Sequence, residues 1–179
     1  PKALLVGPGD DAAAFRFPGV KETFVGKMES HCSPCVPRPY DAAATGAGGA
    51  MRDVVAMGAR PLFLMNFIGT KPLKDKVIVG PCGFDGKCTC GKCVEMTSGE
   101  RVNLMVKGLR DMCAAMDVFI VGGGFSTSFS DIVPAVVVSV LGKLVTAKPL
   151  TKPAKSAGDR IILIGKTGSD GNDTLYRAG

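Results

Sequence analysis

The chain of 179 residues has no Trp, a single His and two Tyr, and aromatics make up 6% of it. Lys and Arg are scattered, with few aromatics among them, which argues against a protein that reads nucleic acid. No uninterrupted apolar run of about 18 residues exists, which excludes a helical membrane span. No charged segment followed by an apolar stretch opens the sequence, so no secretory leader is expected. Disorder of the low-hydrophobicity kind is excluded too, because 46% of the residues are apolar.

Lys plus Arg number 22 against 16 Asp plus Glu, a net charge of +6. That mild excess suits small anions such as phosphates. Seven Cys is an odd number, and six of them fall in two clusters. Without a secretory leader, reduced thiols in the cytoplasm are the expected state. Length and apolar content allow one domain, or one domain with part of a second.

Hydrophobic patterning alternates strands and helices, an α/β reading. Ala3–Val6 reads as a short strand stopped by Gly7-Pro8-Gly9. Thr23–Met28 reads as a second strand, and Gly26 within it marks a bulge or a close approach. Asp41–Met57 reads as a helix with Asp41 as N-cap. Gly46, Gly48 and Gly49 lower its propensity, so packing has to hold it, and small residues would let it lie close to a sheet. Pro61–Ile68 is nearly all apolar and is expected to be a strand buried on both faces. Residues 69–97 form a polar, cysteine-rich excursion. Thr97 and Glu100 then make a capping box. The helix they open carries Val102, Met105, Val106, Leu109, Met112, Cys113 and Met116 on one face. Val118–Val121 and Ala135–Leu141 read as strands. A first domain is therefore expected over 1–148, a linker over 149–157, and the start of a second domain over 158–179, with Arg160–Ile164 its first strand. About twenty residues cannot close a core, so the chain is expected to be a fragment, or its last strand completes something else.

Several residue groups suit chemistry. Asp10 and Asp11 follow a tight turn and either offer hard oxygens to Mg²⁺ or hold a solvated turn. Alternation puts Lys27 and Glu29 on one strand face, which suits a metal–phosphate site with Glu29 on Mg²⁺ and Lys27 on phosphate. His31 follows in a polar segment, either as a general base or as an exposed loop histidine. Arg52 and Asp53 provide a phosphate clamp and a second metal ligand, or else a surface ion pair. Cys82, Cys88, Cys90 and Cys93 read as a structural Zn²⁺ site, a redox-labile pair or unliganded surface thiols. Cys32 and Cys35 form another Cys-x2-Cys beside His31, and zinc there would make His31 a ligand instead of a base. Gly165–Gly171 follows the last strand like a phosphate-binding turn, without P-loop spacing.

Three blocks in order carry a family resemblance: Glu29-Ser-His-Cys-Ser-Pro34, Pro39-Tyr-Asp-Ala-Ala-Ala-Thr-Gly-Ala-Gly-Gly49 and Arg52-Asp-Val-Val-Ala-Met-Gly-Ala-Arg-Pro61. They resemble the E-S-H-N-H-P, P-Y-x-G-A-A-T-G-x-G-G and R-D-x-x-x-M-G-A-R-P signatures of the phosphoribosylformylglycinamidine synthase (PurL) family. Gly7–Ala12, Val121–Gly123 and Gly165–Gly171 fit as well. More loosely the chain is similar to the wider AIR synthase (PurM-like) superfamily. The resemblance implies a PurM-like N-terminal domain, a mixed sheet covered by helices, that binds ATP and dimerises through its sheet. It implies an ATP- and Mg²⁺-dependent ligase of purine biosynthesis: a ribonucleotide amide is phosphorylated, and ammonia from a glutaminase partner displaces phosphate. Carried over, Lys27 would touch ATP, Glu29 and Asp53 would hold Mg²⁺, and His31 would be the general base. Ser30, His31, Cys32, Ser33 and Arg52 would contact substrate. Cys32-Ser33 stands where the family has Asn-His, and the excursion at 69–97 has no counterpart in the pattern. Two other readings follow from those differences: another superfamily phosphotransferase or ligase with a different substrate, or an inactive zinc-stabilised binding module.

Overall fold

The computed structural model describes residues 3–128, 134–153 and 156–165. Its strands are β1 (Leu4–Val6), β2 (Ala13–Phe15), β3 (Phe24–His31), β4 (Ala59–Gly69), β5 (Lys76–Val79), β6 (Val94–Thr97), β7 (Phe119–Ser126) and β8 (Ala135–Leu144). Helix α1 spans Pro39–Ala56 and α2 spans Ser98–Ala115. Six strands form one mixed sheet in the order β1-β2-β3-β8-β4-β7, and β5 and β6 form a separate antiparallel ribbon. Among the described strands only β4 and β7 run parallel, joined through the ribbon and α2.

Helix α1 lies across β3, β8 and β4, and α2 packs on α1. The core fills the space between. Val136, Val138 and Val140 of β8, Leu64 and Ile68 of β4, Met51 and Val54 of α1, and Met105 and Leu109 of α2 are all buried there. The helices pack closely because small residues meet. A Cβ on Gly108 would run into the backbone of Tyr40 and Ala44.

Helix α1 starts earlier than its composition suggests. Arg38 is its N-cap and Pro39 occupies the first turn. Proline's fixed φ is pre-organised for that place. Asp41 therefore lies inside the helix, paired with Arg38 at 2.6 Å. The capping box of Thr97 and Glu100 forms as its spacing predicts. Along α2, Val102, Met105, Leu109 and Cys113 are buried, whereas Val106 and Met116 are exposed.

Strand β4 is not buried on both faces. Leu64 and Ile68 are buried while Leu62 and Met65 are exposed, because helices cover one face of the sheet. On the other face Met28, Met65 and Phe119 are 69%, 45% and 72% exposed. Strand β7 continues through Gly122–Gly124 after an irregularity at Val121, because these glycines pair with Met65–Phe67 of β4. Residues 160–164 make no strand: they have no pairing partner among the described residues, and Ile161–Ile164 are exposed. Among the described residues no helix is long and apolar enough to cross a membrane.

Candidate functional site

Lys27, Glu29 and His31 share the face of β3 that meets α1, while Met28 and Ser30 alternate to the opposite, exposed side. Three positions on α1, spaced three and four apart and so on one helix face, meet them in turn. Asp53 Oδ2 lies 2.6 Å from Lys27 Nζ. A Cβ on Gly49 would stand 3.4 Å from Glu29 Oε2, and one on Gly46 would stand 3.3 Å from the His31 ring. The missing side chains let the helix come this near to two functional groups.

Lys27 also donates to the Asp11 carbonyl at 3.0 Å. Its hydrogen bond to Asp53 raises its pKa above the ordinary value, against the effect of desolvation, so the ammonium stays charged. Glu29 adds to that attraction. Glu29 and Asp53 are partly exposed carboxylates, and carboxylate oxygens are the hard donors that Mg²⁺ prefers.

His31 ends β3 and is partly buried, so it is not an exposed loop residue. Its Nδ1 lies 3.0 Å from the Ala42 carbonyl. A carbonyl only accepts, so Nδ1 carries the hydrogen, and in the neutral ring the lone pair is then on Nε2. Nε2 stands 3.9 Å from Glu29 Oε1. This tautomer can accept a proton at Nε2.

Asp11 stands beside Lys27, whereas Asp10 is held by backbone N–H groups. Asp10 Oδ1 accepts from the backbone N–H of Asp11 at 2.9 Å and of Lys152 at 3.2 Å. Asp11 takes part through its carbonyl. Arg52 is exposed beside Asp53, whose ion pair is with Lys27 and not with Arg52. Cys32 and Ser33 lie just beyond β3, where Ser33–Cys35 make a 3₁₀ turn. Cys35 is buried and its thiol donates to the His31 carbonyl at 3.2 Å. Burial pushes that thiol up to about 12. It does not join Cys32 and His31 in a metal site: among the described residues, the group of three or more His, Cys, Asp or Glu side chains that could hold a metal ion is Cys82, Cys88, Cys90 and Cys93. Most of Gly165–Gly171 lies outside the described residues.

Those four thiols sit in the loop between β5 and β6, and their Sγ atoms lie within 4.8 Å of one another, so they could hold a metal ion. Hydrogen bonds from the Thr89 backbone and from Cys90 lower Cys82 to about 6. The Cys82 N–H favours the Cys93 thiolate, but desolvation and the neighbouring thiols outweigh it and push Cys93 up to about 12.

Sequence reading missed Arg101. It is buried on α2, donates from Nη2 to Thr70 Oγ1 at 3.2 Å, and leaves Nε without a partner. The available signal was its place four residues before Met105, on the buried stripe. With Lys71, Lys76 and Gly83–Gly86 it lines a cavity of about 350 Å³.

Residues 9–144 match the family model described as AIR synthase related protein, N-terminal domain. The chain belongs to this AIR synthase related family. Among curated relatives, the phosphoribosylformylglycinamidine synthase subunit PurL of Halobacterium salinarum is 35% identical over 174 residues, covering 95% of this chain and 22% of that protein. The chain thus spans about a fifth of the length of the curated relatives it matches. Among solved structures, T. maritima PurL complexed with FGAR is 26% identical with a TM-score of 0.50, covering 80% of this chain and 17% of that one. T. maritima PurL complexed with AMPPCP is 25% identical with a TM-score of 0.51, covering 75% and 17%. The mixed sheet with helices on one face is the AIR synthase related N-terminal fold.

Proposed function

We propose that this chain is the nucleotide- and metal-binding part of a PurL-type ligase of purine biosynthesis. The observation that carries the reading is the row Lys27, Glu29 and His31 of β3 meeting Asp53, Gly49 and Gly46 of α1 in turn. Similarity to PurL subunits, and to PurL complexed with FGAR and with AMPPCP, supports it.

In this reading the γ-phosphoryl group of ATP passes to the amide oxygen of formylglycinamide ribonucleotide, leaving ADP. Ammonia, delivered by a glutaminase partner, adds to the activated carbon, and phosphate departs to give the amidine. Mg²⁺, when bound, offsets charge on the phosphoryl group. Glu29 and Asp53 would hold that ion, and Asp10 and Asp11 would assist, since the Asp11 carbonyl already meets Lys27. Lys27 leaves Asp53 for a phosphate oxygen of ATP. His31 Nε2 receives the proton shed as ammonia becomes bonded to carbon. Ser30, His31, Cys32, Ser33 and Arg52 orient the ribonucleotide. The open sheet face with Met28, Met65 and Phe119 pairs with the same face of a second copy, giving a homodimer. The setting is cytoplasmic.

A second reading keeps the phosphoryl chemistry but changes the acceptor. Cys32 and Ser33, in the turn after β3, favour it, because they replace the amide and imidazole of the family signature with a thiol and a hydroxyl.

Calorimetric titration of Mg-ATP into the purified chain tests the site, alongside Glu29→Gln and Asp53→Asn. Binding that both substitutions weaken is the expected result. A folded chain that takes up no Mg-ATP would sink the claim that these residues suffice for the nucleotide.

A further inference from the structure

We propose that Cys82, Cys88, Cys90 and Cys93 together hold one zinc ion, which ties off the loop between β5 and β6. The Sγ atoms of Cys90 and Cys93 stand 3.7 Å apart, and all four sulfurs lie within 4.8 Å of one another. A tetrahedron with Zn–S bonds of about 2.3 Å has edges of about 3.8 Å. One ion at its centre reaches all four ligands, whereas a cluster of several iron atoms needs more room between them.

The backbone is already shaped around these sulfurs. Lys92 N–H donates to Cys90 Sγ at 3.4 Å, and Cys82 N–H donates to Cys93 Sγ at 3.3 Å. Gly91 turns the chain between Cys90 and Cys93 at φ +68°, a conformation that side chains resist. At Gly80 a Cβ would come within 2.9 Å of both Cys93 Cα and Sγ, so this end of the loop closes directly on a ligand.

The loop has little else to hold it. Residues 84–92 are exposed, and Cys82 is the buried side chain at its start. Strands β5 and β6 have four residues each, and a two-stranded ribbon is marginal by itself. Four sulfurs form a soft donor set that selects zinc over the hard cation suited to Glu29 and Asp53. Binding displaces the thiol protons to solvent and leaves four thiolates on one ion. Because Gly83–Gly86 also wall the cavity beside Arg101, the ion fixes that wall as well.

The test uses the full chain, purified under reducing conditions without chelator. Elemental analysis is expected to give one zinc per chain. Exchange with Co²⁺ is expected to give the thiolate charge-transfer and ligand-field absorption of a tetrahedral four-sulfur site. Cys90→Ser should weaken zinc binding by at least about tenfold, while Lys87→Ala keeps it. Stoichiometric iron with visible absorbance would overturn the assignment. So would a folded wild-type chain without zinc whose four thiols all react with Ellman's reagent. Should Cys90→Ser fail to fold, the wild-type metal count and cobalt spectrum still decide. Glu29→Gln is expected to keep its full zinc content, so failure at the nucleotide site and failure here are told apart.

Discussion

Lys27 Nζ lies 2.6 Å from Asp53 Oδ2 and 3.0 Å from the Asp11 carbonyl, so one ammonium joins β3 to α1 and to the segment before β2. The hydrogen bond to Asp53 raises the Lys27 pKa from its ordinary 10.5. A group that binds its proton more tightly when folded stabilises the fold fully below its unfolded pKa. That contribution is lost as pH rises through the folded value. Lys27→Met should therefore cost about 1 kcal/mol or less near neutral pH, since both partners are partly exposed. Urea unfolding should show the gap to wild type closing above about pH 10.5, the unperturbed lysine value. A gap that stays constant into strong alkali would contradict the pairing.

His31 donates through Nδ1 to the Ala42 carbonyl, which leaves Nε2 as the basic atom. In the assembled synthetase, His31→Gln is expected to lower kcat by about 10²–10⁴-fold, the range of a lost general base. Mg-ATP affinity should stay unchanged, because Lys27, Glu29 and Asp53 remain. Equal losses in kcat and in nucleotide affinity would point to a positioning role instead.

Met28 is 69% exposed on the sheet face away from the helices. Met28→Glu puts a charge in the middle of the face assigned to the second copy. Sedimentation velocity should show a dimer for wild type and a monomer for the variant, with unchanged circular dichroism. A wild-type chain that sediments as a monomer at micromolar concentration would remove the dimer from the reading.

Gly108 permits the α1–α2 contact, where a Cβ would strike Tyr40 and Ala44 backbone. Gly108→Ala is expected to destabilise by about 1–3 kcal/mol in urea unfolding, despite alanine's better helix propensity. Gly122→Ala is the control: nothing lies within 4 Å of its added Cβ, and its effect should be near zero.

What was legible in the sequence was local. Alternation within a strand put Lys27 and Glu29 on one face, and it did so without knowing what that face would meet. The Thr97–Glu100 capping box likewise depends only on residues three apart. The ordered blocks from Glu29 to Pro61 pointed to a family that residues 9–144 match. The rest waited for distant segments to meet. Asp53 could have paired with its neighbour Arg52, but the approach of α1 to β3 gave it Lys27. Residues 160–164 are as apolar as a strand, yet a strand needs a neighbour to satisfy its backbone, and none stands beside them among the described residues. The apolar run of β4 could not say which face α1 and α2 would leave open. Cysteine spacing in 82–93 allowed several outcomes, and only the path of the loop between β5 and β6 brought the four sulfurs within reach of one ion. Local order follows from covalent neighbours, whereas pairing and convergence follow from burial, which is a property of the whole packed chain.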